Sequence, residues 1–484
     1  MNARIKAVTA CLLVGWFWAG CTVGPGYQRP SVSVPPAYRG LETPPLGGTS
    51  TNTDLSSVAE LGWWQVFQDA QLTAYMAEAL TNNWDVQAAA ARVLAAEAEA
   101  RVVRSRFFPT VSAGGDLVTS RASQRGAGTI PAGVDPQREF GDAFLAMPAY
   151  EVDLWGKIRR SSEAARARLL ASVETERIVR QTLVTQVATA YLDLLELDLE
   201  LAIAQRTHAV RTNSLELTRT REQGGVASLQ DVDQARILVS TAEASMVDTR
   251  RRVEQGENLI SLLLGRDPGP VARGGGLATF GFRTEVPAGL PSRLLEQRPD
   301  LRAAEKHLVA ANADVGQAKA AFYPQLTLTG SLGYQSVALS DLFTGGSRTW
   351  QFGPSVAVPL FTGGRLRGGL KAAEARFQEA VATYRKSVQS AFREVSDALV
   401  AYQRTREFRG RQEERTQAHR EASELAAIRY QGGVTSYLEV LYNEQELFGA
   451  ELGLAQARRN ELLSVVQLYR ALGGGWTLPS DRSE

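Results

Sequence analysis

The sequence predicts a mainly α-helical protein with short transmembrane β-strands, in which one helix–β-hairpin–long helix–helix unit is written twice. Three observations predict this. A constant offset of about 208 residues aligns distant parts of the chain. Lys157 to Gln223 contains no Gly or Pro. Segments of ~10 residues between the helical stretches alternate apolar and polar positions, as a membrane strand does.

The repeat is clearest in "REQGGVASLQDV" from Arg221 and "RYQGGVTSYLEV" from Arg429. The same offset maps Arg250-Arg251 onto Arg458-Arg459, Leu264-Gly265 onto Leu472-Gly473, and "EAARARL" from Glu163 onto "KAAEARF" from Lys371. Upstream it becomes roughly 215, the difference being absorbed in a loop. There Asp85 pairs with Asp300, and Phe107-Phe108-Pro109 with Phe322-Tyr323-Pro324.

Each copy opens with an Ala-rich helix of ~35 residues, which stops at the aromatic-Pro step because Pro cannot continue it. A hairpin follows, and then the long helix. At 1.5 Å per residue its ~65 residues span roughly 100 Å. A Gly-Gly turn reverses the chain into a last helix of ~40 residues, expected to end at Gly265 or Gly473. Two short helices stacked end to end match one long helix, so both Gly-Gly turns belong at one end and both hairpins at the other. Val184, Val187, Tyr191 and Leu194 recur at the three-four spacing of a packed or coiled-coil face.

Strands are expected near 110–119, 140–154, 325–337 and 349–360. In the second pair, Leu326, Leu328, Leu332 and Tyr334 share one face, as do Trp350, Phe352, Val356, Val358 and Leu360. Four strands cannot close on themselves, and an open edge in lipid leaves backbone groups unpaired at several kcal/mol each. Chains must therefore associate. Two copies would give ~8 strands, a barrel filled by its own side chains, and three would give ~12, wide enough for a lumen; strand physics alone does not fix the number.

"MNARIKAVTACLLVGWFWAGC" has a basic start, an apolar middle and small residues before Cys21, the pattern of a secretory signal. "WAGC" resembles a lipobox, with Cys21 acylated and Thr22 after it in place of an Asp that would retain the protein at the inner membrane. The expected divisions are a signal peptide over 1–20, a lipidated extended segment over 21–56, repeat one over 57–268, a linker over 269–291, repeat two over 292–475 and a tail over 476–484. A net charge of +1 argues against nucleic acid as main partner. His208, His307 and His419 are scattered without metal-ligand spacing, and there is no P-loop and no GxSxG, so no enzyme, cofactor or metal centre is expected.

"GCTVGPGYQRP", "FYPQLTLTGSLGY", "FTGGRLRGG", "YQGGVTSYLEVL" and "LYRALGGGW" occur in that order. Over the whole mature chain the sequence resembles the TolC-like outer membrane factors, in their OprM/NodT-like lipoprotein branch. The resemblance implies a homotrimer with a 12-stranded outer-membrane β-barrel continued by a periplasmic α-helical barrel. It implies a passive exit duct for small molecules or metal ions, served by a periplasmic adaptor and an inner-membrane pump, often of the resistance-nodulation-division (RND) class. It assigns Gly224, Gly225, Val226, Gly432, Gly433 and Val434 to periplasmic tips that meet the adaptor. Asp231, Asp233 and Glu439 become acidic gate positions, which a trimer would turn into rings that favour cations. Leu438 matches an apolar constriction residue, and Tyr430 a tyrosine that can hydrogen-bond to the position held by Asp231. Two residues depart from the pattern: Tyr442 stands where an Asp is usual, and Thr435 where some members carry a gate-locking Arg. Other readings stay open, namely a duct for secreted proteins and a lipid-anchored periplasmic coiled-coil scaffold without a pore. An outer-membrane enzyme lacks a nucleophile–base candidate.

Overall fold

The computed structural model describes residues 22–36, 38–39, 61–123, 125, 131, 133–280 and 291–475. The expected signal peptide, Cys21 and the tail over 476–484 lie outside them. The first copy supplies α1 (Trp63–Val66), α2 (Ala70–Asn82), α3 (Trp84–Ser105), β1 (Ser112–Arg121), β2 (Gln137–Val152), α4 (Lys157–Gln223) and α5 (Leu229–Leu264). The second supplies α6 (Pro291–Gln297), α7 (Pro299–Ala320), β3 (Gln325–Ser336), β4 (Arg348–Ala357), α8 (Arg365–Gln431) and α9 (Tyr437–Ala471).

The two long helices, α4 and α8, each run for 67 residues. The Ala-rich helix expected as one piece is instead split in both copies. In the first, Asn83 adopts an extended backbone and its side-chain oxygen accepts from the N–H groups of Asp85 and Val86. It ends one helix and caps the next. In the second, Pro299 takes the first position of α7, where its missing N–H is harmless.

The chain folds as two compact units, and both copies contribute to each. One contains the chain up to Pro30, Leu94–Ala171 and Ala304–Thr383; the other contains Ser31–Val93, Ser172–Ala303 and the chain from Tyr384 onward.

The first unit holds an antiparallel four-stranded sheet in the order β1-β2-β3-β4. The pairings Leu145↔Leu332, Leu332↔Trp350, Gly330↔Phe352 and Leu326↔Val356 put the apolar residues of neighbouring strands on one face. Asp116↔Asp142, Asp142↔Gln335 and Ser331↔Gln351 put polar residues on the other. β2 carries Pro148, and the register shifts between Met147 and Tyr150, so a bulge absorbs the missing donor. β4 stops short of the expected 360 because Pro359 cannot extend the ladder. Beside the sheet, Ala164 and Ala167 of α4 meet Ala310 and Ala313 of α7, a seam of small side chains. The N-terminal segment is strapped to this unit. The Val23 N–H donates to the Trp155 carbonyl, and Arg160 and Asn312 both donate to the carbonyl of Pro25.

The second unit buries the predicted stripe on α4: Val184, Val187, Tyr191 and Leu194 are all at most 2% exposed. Further along, Ile203 and Ala204 of α4 pack with Phe448 and Ala455 of α9 and with Met246 of α5. Tyr191 turns its hydroxyl to the Gly274 N–H at 2.9 Å, and burial pushes its pKa up to about 12. No described helix is long and apolar enough to cross a membrane.

Candidate functional site

Both Gly-Gly turns lie in the second unit, and their backbones coincide in detail. After α4 the Gly225 N–H donates to the Glu222 carbonyl at 2.9 Å, and the Val226 N–H to the Arg221 carbonyl at 2.9 Å. After α8 the Gly433 N–H donates to the Tyr430 carbonyl at 3.0 Å, and the Val434 N–H to the Arg429 carbonyl at 2.9 Å. This is the Schellman closure, which satisfies carbonyls that a helix end leaves open. It requires a left-handed residue, and Gly225 and Gly433 both sit at φ 73°. The glycine before each has no such need. A Cβ on Gly224 or Gly432 would meet only carbonyls at 3.5 Å or beyond and the edge of Val434. Val226 and Val434 are exposed at 69% and 72%, so both turns present an apolar tip.

The structure joins the two turns through a shared core. Leu215 of α4, Val232 and Ala235 of α5, Ala426 and Tyr430 of α8, and Tyr437 and Val440 of α9 form one buried cluster. The Tyr430 and Tyr437 rings lie 5.3 Å apart. The Arg221 guanidinium stacks 4.4 Å over the Tyr430 ring and donates to the Tyr430 carbonyl at 3.0 Å, so the end of α4 braces the end of α8. Tyr437 is held near pKa 12 by burial and by the neighbouring Glu444 carboxylate, with a hydrogen bond to Thr218 pulling the other way.

The expected gate residues fall into three groups. Asp231 caps its own helix: its carboxylate accepts from the Ser228 N–H at 3.0 Å, and its N–H donates to the Ser228 hydroxyl at 3.1 Å. Among the described residues no hydrogen bond joins Tyr430 to Asp231 within one chain, the pairing that the resemblance suggests. Asp233 pairs with Arg236 at 3.1 Å on the exposed side of α5, and Glu439 accepts from Arg429 at 2.8 Å and from the Thr435 hydroxyl. Leu438 and Tyr442, four residues apart on α9, are each 65% exposed on the face turned away from the shared core.

Sequence reasoning missed a buried polar layer above this core. Arg211, 1% exposed, donates to the Leu238 carbonyl at 3.1 Å and to Gln445 at 3.0 Å. Glu444 accepts from the Ser214 hydroxyl at 3.2 Å, while its second oxygen is buried without a partner. Burial raises the Glu444 pKa, with Ser214 and Arg211 opposing, and burial lowers that of Arg211. These residues belong to no repeated motif, so no sequence signal marked them. Arg221 and Arg429 did carry one: a basic residue recurs in the last turn of both long helices, where it favours the helix dipole. Among the described residues no group of three or more His, Cys, Asp or Glu side chains is arranged to hold a metal ion.

A family model described as "Outer membrane efflux protein" matches residues 76–266 and 290–474. The toluene efflux pump outer membrane protein TtgF of Pseudomonas putida is 38% identical over 472 residues, 95% of each chain. The solvent efflux pump outer membrane protein SrpC of Pseudomonas putida is 36% identical over 479 residues, 99% of each. The open state of the MtrE outer membrane channel of Neisseria gonorrhoeae superposes with a TM-score of 0.84 at 30% identity, over 94% of this chain and 99% of that one. With two copies of one unit, a four-stranded sheet and paired helical turns, the chain belongs to the outer membrane efflux protein family and is an outer-membrane exit channel of an efflux system.

Proposed function

We propose that the channel is a homotrimer, in which three copies of the four-stranded sheet close a barrel of about 12 strands and the helices extend a second barrel through the periplasm. The observation that carries this is the sheet itself. Among the described residues β1 and β4 are edges paired on one side only, and the apolar face is bare, with Trp350 76%, Phe352 62% and Val356 66% exposed. In lipid such a face is at home, while each unpaired edge group costs several kcal/mol. Pairing β4 of one copy with β1 of the next removes both edges.

Anchoring at Cys21, after removal of residues 1–20, fits the path of the N-terminal segment. A Cβ on Gly156 would lie 2.7 Å from Thr22 Cγ2, so the residue after Cys21 is pressed against the chain four residues beyond the end of β2. An acyl chain there starts next to the place where the sheet ends.

In this reading the turns at Gly224, Gly225, Val226, Gly432, Gly433 and Val434 form the periplasmic tips and meet an adaptor protein. Asp231, Asp233 and Glu439 recur threefold around the narrow end, with Leu438 and Tyr442 as apolar and aromatic collars and Tyr430 as the brace behind them. The duct is passive, and an inner-membrane pump of the RND type supplies the energy. The relatives' names point to small organic molecules as cargo rather than secreted proteins.

Two measurements on the purified protein test the proposal together. The mass of the detergent-solubilised particle should be that of three chains, and the particle should conduct ions across a planar bilayer. A monomer that stays water-soluble once its acyl chain is removed, and forms no channel even with Arg221→Ala loosening the tip, overturns it.

A further inference from the structure

On the polar face of the sheet one row breaks the pattern. Gly114, Phe144 and Gly333 stand opposite one another on β1, β2 and β3. The next row carries Asp116, Asp142 and Gln335, and the row on the other side Ser112, Ala146 and Ser331. A phenylalanine on the wet face of a membrane sheet gains nothing from lipid, so its surroundings have to explain it.

The glycines on either side make room for it. A Cβ on Gly114 would fall 2.8 Å from Phe144 Cζ, 3.1 Å from Cε2 and 3.4 Å from Cε1. The far edge of the ring therefore occupies the space that a side chain at position 114 would fill. The ring leans toward β1, with its far end over Gly114. A Cβ on Gly333 would come within 2.3 Å of the Ala143 carbonyl and 2.7 Å of Phe144 Cα. Position 333 thus admits no side chain, and the ring leans to the other side, over Gly114.

We infer that Phe144 sets the bore of the β-barrel lumen, and that Gly114 holds its ring in the low-profile position that keeps the lumen wide. The inference rests on the trimeric barrel proposed above, which turns the polar face inward and repeats the ring three times around the lumen. It makes the barrel a second size-selective element, independent of the helical tips. A phenyl ring standing upright would protrude further than one leaning over Gly114. Bulky solutes would feel the change before small ions do.

The test is the permeability of a large organic cation, tetrabutylammonium, relative to potassium in planar bilayers. It is measured on the full chain carrying Arg221→Ala, so that the tips do not mask the barrel. Phe144→Ala should raise the ratio by about threefold or more, and Gly114→Ala, which lifts the ring, should lower it by a similar factor. The double variant Gly114→Ala/Phe144→Ala has no ring to lift, and should match Phe144→Ala alone. If Gly114→Ala does not assemble, Phe144→Ala and the double variant decide the matter. A ratio that stays within about 1.5-fold of the parent in Phe144→Ala overturns the inference. A parent protein that makes no channel at all overturns the trimeric duct instead, so the two failures are distinct.

Discussion

At the first turn Asp231 accepts from the N–H of Ser228, three residues before it in its own helix cap; at the second, Glu439, in the same position of the repeat, reaches across the turn to Arg429 and Thr435. Arg221 and Arg429 are likewise equivalent. Arg221 leaves its own turn to cover Tyr430, whereas Arg429 stays within its own. Ser228 caps α5 with its hydroxyl, and Ser436 makes no side-chain cap for α9. The backbone of the two turns is set by a glycine at one φ value, and the side chains around it have diverged. The first turn is held locally. The second depends on an ion pair and on an arginine supplied by the first.

The sharpest way to break this comparison is to remove the point where the turns meet. Tyr430 is 8% exposed, stacks against Tyr437 and lies under Arg221. Tyr430→Ala should weaken the shared core by about 3 kcal/mol, in the range of buried aromatic truncations. Hydrogen exchange should show it as a loss of about two decades of protection in all four helix ends, since 1.4 kcal/mol is tenfold. Loss confined to α8 and α9 would mean that the turns are independent.

Next in size are the glycines. Gly225→Ala and Gly433→Ala force a Cβ into the left-handed region, at about 1–2 kcal/mol each. Gly224→Ala and Gly432→Ala meet only ordinary contacts and should be neutral, or stabilise by about 0.5 kcal/mol through the unfolded chain. The same exchange measurement checks both pairs. Equal effects at all four positions would contradict the assignment of Gly225 and Gly433 as the conformationally required members.

Much of this was legible in the sequence because it is local. A Gly-Gly preceded by a helix and written twice implies a helix reversal, and the Leu326–Tyr334 alternation implies a strand with two unlike faces. The break at Asn83 was also in the text. "TNNWD" offers an Asn two residues before an Asp, which is a helix start, but the Ala-rich run around it hides the signal. What could not be read is partnership across the fold. Arg221 and Tyr430 are 209 positions apart, and nothing in either motif says that one stacks on the other. Glu444 and its repeat mate Arg236 show the same limit, since one is buried beside Arg211 and the other lies on the surface with Asp233.

Caps come third. Ser228→Ala should cost about 1 kcal/mol at the start of α5, the usual worth of a lost N-cap. Ser436→Ala, with no cap bond to lose, should stay within about 0.5 kcal/mol. A smaller effect depends on pH. The folded pKa of Glu444 lies above the ordinary carboxylate value, so over the window between the two the folded state binds more protons. Its contribution is therefore complete below the ordinary carboxylate pKa, near pH 4, and is lost as pH rises through the folded value. Protection of α9 around Glu444 should fall across that window, and Glu444→Gln should remove this part of the pH dependence. An unchanged profile in Glu444→Gln would assign the dependence to another group.

The smallest effect tests the difference between the turns most directly. Arg429 and Glu439 are 45% and 38% exposed, so solvent screens their attraction, and Glu439→Gln should cost about 0.5 kcal/mol or less. What separates it from Ser228→Ala is salt. An exposed ion pair weakens as the screening length falls from about 10 Å at 0.1 M to about 3 Å at 1 M. A neutral cap hydrogen bond between a hydroxyl and an N–H does not. Raising the salt should therefore loosen the second turn toward the level of the Glu439→Gln variant and loosen the first turn less, because there only the Asp231 carboxylate at the helix start is screened while the Ser228 hydroxyl bond is not. Equal loosening of both turns in salt would mean that they are braced alike, whatever their side chains.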